Sequence, residues 1–187
     1  MAKKIIDILI NNNKLNSEYR DVYIYFLDRK VNEFICFILM TYIGTVLYGF
    51  INTFLFISIF KYLRRYTGGY HSKTRIRCIL TSCIVLVLCL QLSIFLNNQI
   101  YILDISIITS TIILLKVSPL NNLNMSWTEE EMTIVNVKML KSVIVILMCL
   151  YIIRIRHIEY FSVCVMSFVS VSMSVLIAKI LNEEKKI

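Results

Sequence analysis

The chain has 187 residues, of which 58% are hydrophobic and 17% charged, and it carries a net charge of +8 with a mean hydropathy of +0.72. Soluble domains carry roughly 25% charged residues, so a soluble enzyme or nucleic-acid-binding domain is excluded and the basic excess reads as membrane orientation. With one proline, four glycines and no alternating ten-residue pattern of a barrel, the expected fold is all-α: a polytopic integral membrane helical bundle with N-terminal amphipathic helices.

In chain order, residues 1–33 form a mixed segment. The opening "MAKKIIDILI" is not a convincing secretory signal, because its apolar run is about six residues, interrupted by Asp7, against the roughly 7–15 required. A polar "NNNKLNS" break follows, and then "EYRDVYIYFLDRKVNEF", in which Tyr19, Val22, Tyr23, Phe26 and Lys30 keep helical spacing. That pattern predicts one or two amphipathic helices at the membrane interface.

Membrane segments are expected at about 36–60, 78–96, 100–117, 138–153 and 160–178, in one membrane domain spanning 1–187. The polar "NNQ" at 97–99 is a tight turn. Residues 118–137 form the main connecting loop, with Pro119 closing the helix before it. Cys36, Cys89, Cys149 and Cys164 fall inside apolar runs and behave as small hydrophobes, which argues against a disulfide framework.

Placing loop 61–77 in the cytoplasm also puts Lys116, Lys138, Lys141, Lys179, Lys185 and Lys186 there, leaving Arg154 and Arg156 outside. The N-terminal tail fits poorly. A single span at 36–60 would send its basic residues outside, and 27 residues are too few for two spans. If that stretch, with Gly44 and Gly49, instead dips or pairs with an N-terminal helix, the tail stays on the cytoplasmic side, the arrangement favoured here.

The stretch "YLRRYTGGYHSKTRIRC", residues 62–78, is the most basic in the chain and holds no acid. Thr74 reads as a helix N-cap, which places Cys78 in or near the first turn, where the helix dipole and the arginines Arg75 and Arg77 favour thiolate over thiol. The free N–H groups of that turn can receive an oxyanion. His71 is the base within reach, but seven residues of continuous helix rise about 10.5 Å. A His71–Cys78 dyad therefore needs a bend, for which Gly68 and Gly69 give freedom. From pattern alone the same loop reads as well as an orientation signal, with Cys78 a packing residue.

"RRYTGGYHSKTRIRC" closely resembles the motif of the accessory gene regulator B family, membrane cysteine peptidases of Gram-positive quorum sensing. Arg64 or Arg65, Gly68, Gly69, His71 and Cys78 fill its positions, and the resemblance extends over the whole chain in hydropathy and loop order. "SPLNNLN" is similar to the family's Ala-Pro-acid segment, with Ser118 for Ala and Asn121 and Asn122 where an acid is common. The resemblance implies catalytic His71 and Cys78, supported by Arg64, Gly69, Arg75 and Arg77, in a cell-membrane enzyme that cleaves an AgrD-like precursor peptide. An acyl-thioester on Cys78 would then cyclise to a thiolactone or lactone autoinducing peptide. The expected partners are that precursor and membrane lipids, with a homodimer left open; no cofactor, metal or nucleic acid is expected.

Other polar groups carry less. Asp104 sits near the "NNQ" turn, at head-group level; His157 has no cysteine beside it; Ser167, Ser170 and Ser174 share a helix face that suits close packing. The rival reading is a non-enzymatic small membrane transport or channel subunit, its basic loop serving orientation or anionic-lipid binding.

Overall fold

The computed structural model describes residues 6–7, 9–10, 16–68, 74–119, 128–156 and 158–183. Among them are six α-helices and no strand: α1 (Arg20–Tyr48), α2 (Phe50–Thr67), α3 (Arg75–Leu96), α4 (Ile100–Val117), α5 (Glu129–Arg156) and α6 (Ile158–Glu183). All except α2 are long and apolar enough to cross a membrane; α2 carries Lys61, Arg64 and Arg65 near its end. The protein is a polytopic membrane helical bundle.

The chain divides into two compact units, Met1–Leu39 and Met40–Ile187. In the first, Ile6 and Ile24 are buried and the Arg20 guanidinium grips Asp7 with two bonds of 2.8 and 3.1 Å. Arg29 and Lys30 both reach Glu33, one turn on. Val22 and Phe26, on the expected amphipathic face, are exposed. The expected interfacial segment and first span are one unbroken helix, because nothing between Arg20 and Tyr48 interrupts the helical ladder.

In the second unit α6 is the hub, packed against α2, α3, α4 and α5. Phe161, Val165, Cys164 and Phe168 on α6 are fully buried, as are Phe56 and Leu63 on α2 and Leu86 and Leu90 on α3. Outward-facing Ile84, Leu88, Phe95 and Ile105 stay exposed, as lipid-facing side chains must. Small hydroxyl residues let the backbones approach. Ser167 donates to the Phe56 carbonyl at 2.8 Å and Ser172 to Ser110 at 3.1 Å, both across helices. Ser170 is buried too and bonds back to the Ser167 carbonyl.

The expected 36–60 segment is not one helix. Gly49 breaks it, at φ +83° and ψ 157°, a backbone region open essentially to glycine. The chain doubles back there: a Cβ placed on Gly44 would lie 2.5 Å from Thr53 Cγ2, whereas nine residues of straight helix would separate the two by about 13 Å. The end of α1 and the start of α2 thus form a tight hairpin. Tyr48 then bonds Gln91 of α3 at 3.1 Å.

α5 begins nine residues before the expected 138 because Thr128 and Glu131 close a capping box. The Thr128 N–H donates to Glu131 Oε2 at 3.0 Å and the Glu131 N–H to Thr128 Oγ1 at 3.3 Å. α3 and α4 meet at an Asn97–Gln99 turn, as read; α5 ends at Arg156 and α6 begins at Ile158. At that end of the bundle Arg154 holds Asp104 at 2.8 Å, joining α5 to α4.

Candidate active site

The basic segment begins on α2, whose last turns carry Lys61, Arg64 and Arg65. The Arg64 guanidinium lies 5.3 Å over the Phe60 ring and Arg65 lies 5.6 Å from the Tyr66 ring, so part of this charge is seated on aromatic faces. Cations at a helix C-terminus also complement its dipole. Thr67 ends the helix fully buried, its hydroxyl within reach of the Leu63 and Gly68 carbonyls.

Gly68 follows at φ +75° and ψ −143°. Any Cβ there is strained, so this backbone position demands glycine. Gly69 and His71 lie outside the described residues, with Tyr70, Ser72 and Lys73.

The chain resumes at Thr74, which occupies the N-cap of α3 with extended geometry, φ −120° and ψ 146°, but makes no side-chain capping bond. The Cys78 N–H donates to the Thr74 carbonyl at 3.1 Å, the first hydrogen bond of the helix. Cys78 therefore stands at the end of the first turn, half-buried. The N–H groups of Arg75, Ile76 and Arg77 have no acceptor within the helix. Those three donors and the positive end of the dipole are what the helix offers a thiolate or an oxyanion; the Cys78 amide itself is already engaged. Arg77, the preceding residue, is exposed. Cys83 is also half-buried, but five residues rotate it about 140° around the helix and carry it about 7.5 Å deeper.

A second sequence-flagged segment comes to this place. Ser118, which ends α4 and opens "SPLNNLN", is buried and its hydroxyl donates to the Thr67 carbonyl at 3.4 Å. The two loops thus start side by side, although 51 residues separate them in sequence. No spacing rule marks such a contact. Asn121 and Asn122 fall outside the described residues, as does His157. Asp104 sits with Arg154 at the opposite end of α4 from Ser118.

The family model of accessory gene regulator B matches residues 2–180. No curated protein and no solved structure matches the chain.

Proposed function

Since the chain belongs to the accessory gene regulator B family, which takes part in quorum-sensing peptide processing, we propose that it is a membrane cysteine endopeptidase. Its substrate is an AgrD-like precursor peptide, which it cleaves and cyclises to a thiolactone or lactone. The observation that carries this reading is the placement of Cys78 at the first turn of α3, whose leading N–H groups have no acceptor within the helix. A tetrahedral oxyanion formed there meets the backbone N–H donors of the helix start.

In this reaction the Cys78 thiolate attacks a backbone carbonyl of the precursor. His71 orients the thiol, takes its proton and returns it to the leaving amine. The C-terminal fragment departs, and the N-terminal part is held as a thioester on Cys78. An internal thiol or hydroxyl of the substrate then attacks that thioester and closes the ring, regenerating Cys78. Thiol–thioester exchange is nearly neutral in energy, so ATP is not required for ring closure. Water competes for the same thioester, and a site sheltered at the membrane face disfavours it.

The loop faces the cytoplasm in this proposal. The charge distribution supports it: loop 61–77, Lys116, Lys138, Lys141 and Lys179 then share one side. Arg154 and Arg156 take the other, where Asp104 neutralises the first.

The test is a precursor whose ring-closing residue is replaced by Ala, incubated with membranes holding the protein. The expected result is an enzyme–peptide adduct on Cys78 that hydroxylamine releases, greatly reduced in His71→Ala. Cleavage of that peptide without any adduct, together with cyclic product formed from linear fragment added afterwards, would overturn the thioester route.

A further inference from the structure

A pocket of about 200 Å³ opens at the end of the bundle remote from Cys78, among Tyr48, Asn52, Ser93, Asn97, Glu159 and Ser162. Nineteen helical residues between Cys78 and Asn97 put the two about 28 Å apart, so this pocket is no part of the site above.

The direction of its hydrogen bonds defines what it can hold. Ser93 donates to the Leu90 carbonyl at 2.7 Å, Ser162 to Asn97 Oδ1 at 3.2 Å, and Tyr48 to Gln91 Oε1 at 3.1 Å. Each hydroxyl has spent its one hydrogen inside the protein and offers lone pairs only. Ser93 and Ser162 are buried, at 1% and 2% exposure. Glu159 adds an exposed carboxylate, without an ion pair among the described residues. Arg154 is already held by Asp104, which leaves Arg156, exposed at the end of α5, as the other described cation of this end.

Three amide N–H donors remain without a partner among the described residues. Asn52 uses one N–H on the Tyr48 carbonyl and keeps the other, and Asn97 accepts through its oxygen and keeps both. The occupant that satisfies this set carries several N–H donors, a positive charge and an adjacent oxygen acceptor. Its size is bounded as well. Pockets for drug-sized ligands run to roughly 300–1,000 Å³, whereas 200 Å³ is the share of about seven waters. A head group fits; a folded peptide does not.

We propose that this pocket binds a primary alkylammonium group with a neighbouring oxygen acceptor, the chemistry of an ethanolamine phosphate. The group is supplied by a membrane lipid head or by the free small molecule. A quaternary ammonium has the charge but no N–H, and is discriminated against for that reason.

The full chain in nanodiscs of mixed ethanolamine and choline phospholipids, released and weighed by native mass spectrometry, tests this. The ethanolamine lipid is expected to be retained about tenfold over the choline lipid, the scale of one charge-assisted hydrogen bond. Glu159→Gln should reduce that retention about tenfold, and Glu130→Gln, at the start of α5, should leave it unchanged. Displacement by free ethanolamine phosphate identifies the head group alone as sufficient; retention despite it identifies the lipid as the source. Equal retention of the two lipids by the wild-type protein would overturn the proposal without reliance on any variant. So would unchanged preference in Glu159→Gln.

Discussion

Gly44→Ala places one methyl group where the α1–α2 hairpin has no room. The new Cβ would lie 2.5 Å from Thr53 Cγ2, 2.6 Å from Oγ1 and 3.1 Å from Cβ, so relief to ordinary contact needs a movement of about 1 Å. Thr53 cannot supply it by rotating away. It is fully buried, its hydroxyl bonds the Gly49 carbonyl at 2.9 Å, and a β-branched residue in a helix has little choice at χ1. The hairpin itself must open, against the buried faces of α2. Overpacking of this kind costs about 1–3 kcal/mol, a factor of roughly 5–150 in the folded equilibrium. Denaturation of the purified protein in mixed micelles by SDS, followed by far-UV circular dichroism, reads that loss as a shift in midpoint. Thr53→Ala removes the two nearest atoms, so Gly44→Ala combined with Thr53→Ala should be less damaged than the sum of the single variants. Wild-type stability of Gly44→Ala, or strict additivity in the double variant, would refute the close hairpin.

Cys78→Ser is expected to abolish precursor cleavage while Cys83→Ser leaves it near wild type; equal loss at normal membrane levels would remove Cys78 as sole nucleophile. Gly68→Ala forces a methyl into φ +75° at a cost of about 1–3 kcal/mol, and should depress cleavage with helix content retained; full activity would show that the loop tolerates another path. A cysteine at position 19, in a background lacking exposed thiols, should react in intact cells only with a membrane-permeant maleimide, and ready labelling by an impermeant one would reverse the side assigned to the N-terminal tail.

The helices were largely legible because lipid leaves few choices: long uncharged runs, one proline and polar breaks mark them. α4 coincides with its expected bounds. What composition concealed was the hairpin. Arg20, Asp28, Arg29 and Glu33 make residues 20–33 look interfacial, yet they extend the helix that carries residues 34–48, and a single glycine does the turning. The Thr128–Glu131 pair is a readable capping box that lengthens α5 beyond its apolar stretch. At the site, local signals placed Cys78 and its cap, since both follow from a helix start. The Ser118–Thr67 contact belongs to tertiary packing, which no local pattern encodes. The positive φ of Gly68 is likewise a backbone conformation that the doublet motif does not specify.

The hub position of α6 has a consequence for how the bundle is made. Of the six helices it is the last in chain order and, over its apolar stretch, 72% buried by the others. Synthesis at about 5–20 residues per second leaves a gap of a few seconds between α5 and α6. Until α6 is made, Phe56, Leu86 and Ser110 lack the helix they pack against. The serines of α6 then enter with partners still to be found; Ser170 has its own helix carbonyl, but Ser167 relies on α2. Substitutions at Ser167 or Phe168 should therefore act on yield more than on the finished protein's chemistry.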